Sequence, residues 1–156
     1  MAVISRQRAG YRFEISCGLK SCFERLGLKP SYKTEPEPKI IMPLLKLETT
    51  VALSDEKKQA LLASLSKLVA GTIGKPEQYV MVVVNPASIL MSGKPGAAAF
   101  VDIRSIGGLN DSVNRQLSQK ICSLLKESLG VPLDRIYLNF TNVAGGNWGC
   151  NGDTFG

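Results

Sequence analysis

Met42-Pro43-Leu44-Leu45-Lys46-Leu47-Glu48-Thr49-Thr50-Val51 is the first stretch of this chain with a sustained period. Leu45, Leu47, Thr49 and Val51 alternate with Lys46, Glu48 and Thr50, the pattern of a half-buried strand. Ser54 follows as an N-cap, with Asp55 and Glu56 suited to the positive end of a helix dipole. Leu61, Leu65, Leu68, Val69 and Ile73 recur at helical spacing. Gly74 ends the helix and Pro76 bars its continuation. The apolar run Tyr79 to Val84 then reads as a short strand covered on both faces.

Adding 56 to these numbers reproduces the pattern without a gap. Leu45 and Leu47 become Val101 and Ile103, and Ser54 and Asp55 become Asn110 and Asp111. Leu61, Leu65, Leu68, Val69 and Ile73 become Leu117, Ile121, Leu124, Leu125 and Leu129. Gly74 and Pro76 become Gly130 and Pro132, while Val80, Val82 and Val84 become Ile136, Leu138 and Phe140. The chain therefore carries an internal duplication of a β-α-β unit. The fold class is α+β: two tandem β-α-β repeats forming a four-stranded sheet with two helices.

Two helices on one face would leave the other sheet face bare, and a bare apolar face needs a partner. A homo-oligomer with cyclic symmetry meets that need. On the last strand Ile136, Leu138 and Phe140 share one face, while Tyr137 and Asn139 point to the other. The glycine-rich end, Gly145 to Gly156, keeps Trp148 and Phe155, which gain most from burial. It reads as a segment docked on the domain or on a neighbouring subunit.

Composition bounds the function. The apolar share is 44% and the charged share 21%, as in a soluble globular protein, and no apolar run approaches a membrane span. The net charge is +6, but residues 1–42 hold 8 Lys/Arg against 4 Asp/Glu, and residues 43–156 hold 11 against 9. The regular part is nearly balanced, which argues against a nucleic-acid partner. There is no histidine, so there is no Ser-His-Asp or Cys-His machinery and no His-ligated zinc. Cys17, Cys22, Cys122 and Cys150 form no C-x-x-C pair and suit a reduced, cytoplasmic protein.

Residues 1–42 have no sustained period. Arg6, Arg8 and Arg12 precede the first acid, as in organelle transit peptides, but Glu14 and Glu24 interrupt that pattern. Pro30, Pro36 and Pro38, mixed with Lys and Glu, read as an extended linker. The segment is an N-terminal extension, whether disordered tail, linker or cleavable leader, and residues 43–156 are the domain.

Several motifs together resemble the macrophage migration inhibitory factor and D-dopachrome tautomerase family. They are the repeat, Pro43 directly after a methionine, Gly74-Lys75-Pro76-Glu77-Gln78-Tyr79, Ser105-Ile106-Gly107-Gly108, Asp134-Arg135-Ile136-Tyr137-Leu138-Asn139-Phe140 and Asn151-Gly152-Asp153-Thr154-Phe155. The resemblance covers residues 43–156. It implies a homotrimer whose sheets wrap into a closed barrel, with active sites between adjacent subunits. It implies keto–enol tautomerisation of phenylpyruvate- or dopachrome-like substrates, small aromatic 2-oxo acids among them, with no cofactor and no metal.

Within that resemblance Pro43, if N-terminal, is the general base. Lys75 and the backbone N–H of Ile106 would hold the substrate carboxylate. Asn139 of a neighbouring subunit would reach the distal hydroxyl of the ring, with Tyr137 lining the pocket. Removal of residues 1–42 would supply the free amine, because an internal proline has only an amide nitrogen. The alternative is a non-catalytic, cytokine-like binding trimer that meets a protein receptor and reaches the outside by leaderless release.

Three features depart from the family pattern: the residues ahead of Pro43, a short loop Leu90 to Gly96 without Phe-Gly-Gly, and Cys150 where many members have tryptophan. The C-x-x-C of some members falls on Ala98 and Val101, which removes any thiol-oxidoreductase reading. Ser92-Gly93-Lys94-Pro95-Gly96 lacks phosphate-loop spacing and reads as a turn.

Overall fold

The duplication is visible in the helices residue for residue. The computed structural model describes residues 42–156, so the reading of the N-terminal extension lies, apart from Met42, outside the described residues. Helix α1 spans Asp55–Ile73 and helix α2 Asp111–Leu129, the same boundaries shifted by 56. Ser54 caps α1 by accepting from the Lys57 N–H at 3.4 Å, and Asn110 caps α2 by accepting from the Val113 N–H at 3.0 Å. Both helices end on a left-handed glycine, Gly74 at φ 75° and Gly130 at φ 68°. Their N–H groups return to Ala70 O at 2.9 Å and Lys126 O at 3.0 Å. A side chain at either glycine would be forced into a disfavoured backbone region.

Strands β1 (Leu44–Thr49), β2 (Met81–Pro86), β3 (Ala99–Ser105) and β4 (Ile136–Asn142) form one sheet in the order β2-β1-β3-β4. Each repeat contributes a parallel pair joined by a helical crossover, β1 with β2 and β3 with β4. The repeats join through the antiparallel pairing of β1 with β3, where Leu45 faces Ile103 and Leu47 faces Val101. Leu45, Leu47, Val101 and Ile103 are fully buried in one core with Leu65, Val69, Leu117, Ile121 and Leu125 of the helices. A single core holding both helices and one parity of strand residues puts both helices on one sheet face. Each buried Leu or Ile contributes roughly 1.5–3 kcal/mol through apolar burial.

The strands differ from expectation at their ends. β1 stops at Thr49, short of Val51, because the Thr50 hydroxyl takes over the ladder and accepts from the Ala98 N–H at 2.9 Å. Tyr79 and Val80 are outside β2. They belong to a 3-10 turn begun by Pro76, with Tyr79 N–H bonded to Pro76 O at 3.1 Å and Val80 N–H to Glu77 O at 2.9 Å. In the protomer β2 is covered on one face only: Val84 is buried, while Met81 is 58% exposed.

The Ser92-Gly93 segment is a turn, as read. Both residues have positive φ, 54° and 70°, between Met91 and Lys94, which exchange backbone hydrogen bonds of 3.2 and 3.0 Å. That is the primed two-residue turn matched to strand twist. At the C-terminus β5 (Gly149–Cys150) and β6 (Asp153–Thr154) form a small hairpin, closed by Phe155 N–H on Trp148 O at 3.1 Å. Trp148 and Phe155 are half-buried, and the backbone bond between them folds the tail back on itself.

Candidate functional site

Pro43 lies immediately before β1, buried, with its carbonyl accepting from the Met81 N–H at 2.9 Å. The antiparallel register sets Leu44 opposite Arg104, so Pro43 falls at the level of Ser105, the last residue of β3. Ile106 follows directly and is half-buried, and its N–H has no acceptor among the described residues. Lys75 follows the left-handed Gly74 and shares its carbonyl, both N–H groups meeting Ala70 O at 2.9 Å. From Lys75 the 3-10 turn leads straight to Met81, the residue bonded to Pro43. Pro43, Lys75 and Ile106 are thus gathered at one end of the sheet by three different connections.

Tyr137 and Asn139 are elsewhere. Tyr137 pairs with Phe100 near the start of β3, and Asn139 pairs with Asp102 at its middle. At ~3.3 Å per residue, about 20 Å of strand separates Ile106 from the level of Tyr137. Both residues are exposed on the sheet face away from the helices, Tyr137 at 64%. One protomer therefore presents the five residues as two separate groups. A hollow of about 300 Å³ beside Ile89–Ser92 and Phe100 includes Tyr137 but not the Pro43 group.

Sequence reasoning passed over the residues that surround Asn139. Its amide nitrogen donates to Asp102 Oδ1 at 3.0 Å and to Thr141 Oγ1 at 3.1 Å. Asp102 Oδ2 in turn accepts from Arg104 Nε at 2.8 Å and pairs with its Nη2 at 2.7 Å. Asp102 is only 7% exposed, although it lies on the uncovered face. The signal was available: the alternation that sends Val101 and Ile103 inward sends Asp102 and Arg104 outward, beside Asn139. A second missed residue is Ser105, whose fully buried hydroxyl has no hydrogen-bond partner among the described residues and sits at the level of Pro43.

The two thiols among the described residues are not part of either group. Cys122 is on α2, where burial pushes its thiol pKa up and so lowers the thiolate fraction. Cys150 is exposed on the terminal hairpin, and both are free.

The sequence profile of the macrophage migration inhibitory factor family matches residues 42–156. This chain belongs to the macrophage migration inhibitory factor family. Its relatives include the macrophage migration inhibitory factor homolog of Trichuris trichiura, 39% identical over 115 residues, covering 73% of this chain and 100% of the relative. Among solved structures, the macrophage migration inhibitory factor-like protein of Entamoeba histolytica is similar with a TM-score of 0.70 at 34% identity, covering 72% of this chain and 98% of that one. The homologue from Prochlorococcus marinus has a TM-score of 0.69 at 35% identity, covering 72% and 99%. The macrophage migration inhibitory factor fold therefore accounts for the two-helix, four-strand architecture, and it begins with the methionine ahead of Pro43.

Proposed function

We propose that the form of this protein beginning at Pro43 is a keto–enol tautomerase acting on phenylpyruvate- or dopachrome-like substrates. The observation that carries this reading is the convergence of Pro43, Lys75 and Ile106 at one sheet end, in a chain of this family. The neutral secondary amine of Pro43 takes a proton from the carbon beside the ketone. The C–H pair becomes the C=C bond, the C=O π pair moves onto oxygen, and that oxygen takes a proton from water. The protonated Pro43 amine returns its proton to the solvent, so the enol forms with no net gain or loss of protons. A free α-amine titrates near pH 7.7–8, and burial with a nearby cation lowers it toward neutrality, where a general base works best. Lys75 and the Ile106 N–H hold the carboxylate.

The aromatic end of the substrate requires the second group, and separation within a protomer supports its delivery by a neighbour. In a cyclic trimer the exposed Tyr137 and Asn139 of one subunit would face the Pro43 group of the next. Pairing of the uncovered sheet faces and edges would also close the barrel and shield Met81, Phe100 and Tyr137 from water. The free thiols suit a reducing cytoplasm, where we place the protein.

One observation favours the rival reading, a cytokine-like binding trimer that meets a protein receptor. Pro43 is here preceded by Met42, so its nitrogen is an amide without basicity. Intact mass and N-terminal sequencing of the protein from its native cells decide between them. A chain starting at Pro43, with phenylpyruvate turnover lost in Pro43→Gly, sustains the tautomerase. A chain retaining residues ahead of Pro43, inactive on phenylpyruvate, sustains the binding module.

A further inference from the structure

We infer that Asp102 is a positioning residue that fixes the amide of Asn139 so that the site accepts a hydrogen-bond donor, not an acceptor, at the far end of the substrate ring. The inference rests on the tautomerase reading for the identity of the ligand, and on geometry for the rest. An asparagine amide presents two donors on nitrogen and two lone pairs on oxygen, and its two ends are similar in shape. What decides its orientation is the network around it. Here Nδ2 faces two oxygens, Asp102 Oδ1 at 3.0 Å and Thr141 Oγ1 at 3.1 Å. The flipped amide would set Oδ1 of Asn139 against a carboxylate oxygen, acceptor against acceptor. Asp102 cannot swing away to relieve this, because Arg104 grips its other oxygen through Nε and Nη2 at 2.8 and 2.7 Å. A hydrogen bond to a carboxylate is also stronger than one between neutral groups.

With both amide protons committed, Asn139 keeps only its carbonyl oxygen for a ligand, and no donor among the described residues reaches that oxygen. A phenolic hydroxyl donates to it. A methoxy group at the same position brings only an acceptor and leaves both oxygens unpaired. Sites built to pair a polar group reject the analogue that cannot pair far more strongly than apolar pockets reject an added methylene. The specificity-determining arrangement is therefore Arg104–Asp102–Asn139, of which only the last touches substrate.

The test uses the chain beginning at Pro43 and two readouts. Turnover of phenylpyruvate, 4-hydroxyphenylpyruvate and 4-methoxyphenylpyruvate gives kcat/KM ratios. Binding of 4-hydroxycinnamate and 4-methoxycinnamate, followed by fluorescence of Trp148, gives dissociation constants without any reaction. The parent is expected to favour hydroxyl over methoxy by at least about tenfold in both readouts. Asp102→Ala is expected to bring both ratios to within about twofold of unity while leaving phenylpyruvate turnover within about twofold of the parent, since that substrate makes no bond to Asn139. Asp102→Asn keeps the volume and one acceptor, which Asn139 and Arg104 must share, so its ratios should fall between. It also serves if Asp102→Ala fails to fold.

A parent that binds both cinnamates alike, binds neither, or keeps its preference in folded Asp102 variants overturns the inference. So does a variant that loses phenylpyruvate turnover by the same factor as 4-hydroxyphenylpyruvate, which is the mark of a structural role. A parent without Pro43-dependent turnover overturns the tautomerase reading instead, and the cinnamate ratios then still decide the role of Asp102.

Discussion

The first repeat and the second are built on the same scaffold and carry different chemistry. Their helices share boundaries under a shift of 56, and the buried positions Leu61, Leu65 and Val69 reappear as Leu117, Ile121 and Leu125. The candidate site residues do not reappear. Pro43 corresponds to Ala99, Lys75 to Val131, Ile106 to Thr50, Tyr137 to Met81 and Asn139 to Val83. Val131 is fully buried and Met81 is exposed, so the second copy fills the lysine position with core, and the first fills the tyrosine position with an apolar side chain. The uncovered face shows the same divergence. Lys46 and Glu48 pair at 2.7 Å on β1, and their counterparts Asp102 and Arg104 pair at 2.7 Å on β3 with the charges exchanged. Duplication supplied a frame, and the candidate site residues occupy positions where the copies disagree.

That contrast can be broken most sharply at its ends. Pro43→Gly in the chain beginning at residue 43 should lower kcat for phenylpyruvate by about 10²–10⁴-fold, the usual worth of a positioned general base. Sedimentation should show the assembly unchanged, and retained turnover would remove Pro43 from its role. Next come the paired core positions. Leu65→Ala and Ile121→Ala, both at fully buried residues, should each cost about 2–5 kcal/mol in denaturant unfolding at fixed protomer concentration. Similar costs support one shared core, and a large cost in one repeat alone would show that the frame is unevenly loaded. Smaller is Lys75→Ala, with an expected rise of about tenfold in KM and little change in stability, because its counterpart is apolar and its side chain is half-exposed. An unchanged KM and kcat/KM would exclude Lys75 from carboxylate capture.

The fold was legible because the period of each element and the stop signals agreed twice. Ser54 and Asn110, Gly74 and Gly130, and Pro76 and Pro132 each mark a boundary by a local preference that tertiary packing did not need to overrule. Where a longer-range bond competed, sequence reasoning slipped: the Thr50 hydroxyl bonds Ala98 across the sheet and ends β1 two residues before the apolar pattern does. The candidate site was legible only through family motifs, because Pro43, Lys75, Ile106, Tyr137 and Asn139 share no period. Register alone brings three of them together, and register depends on how β1 meets β3. Asp102 was legible as an outward residue, whereas its near-complete burial and its hydrogen bonds from Arg104 and Asn139 were not.

The finest comparison is between Thr49 and Ser105, which correspond under the shift and end the two central strands. Both are buried. The Thr49 hydroxyl donates to Ala98 O at 3.0 Å and accepts from the Val51 N–H at 3.2 Å. The Ser105 hydroxyl has no partner among the described residues. Thr49→Val keeps the shape and strands the Val51 N–H, so it should lower stability by about 1–2 kcal/mol. Ser105→Ala removes a buried group that gains nothing for its lost hydration, against the loss of one atom of packing, and should shift stability by no more than about 0.5 kcal/mol in either direction. The two variants are to be compared by denaturant midpoint with the slope checked for constancy. Equal losses at the two positions would mean that the Ser105 hydroxyl finds a partner in solution, and the two strand ends would then be alike in bonding as well as in place.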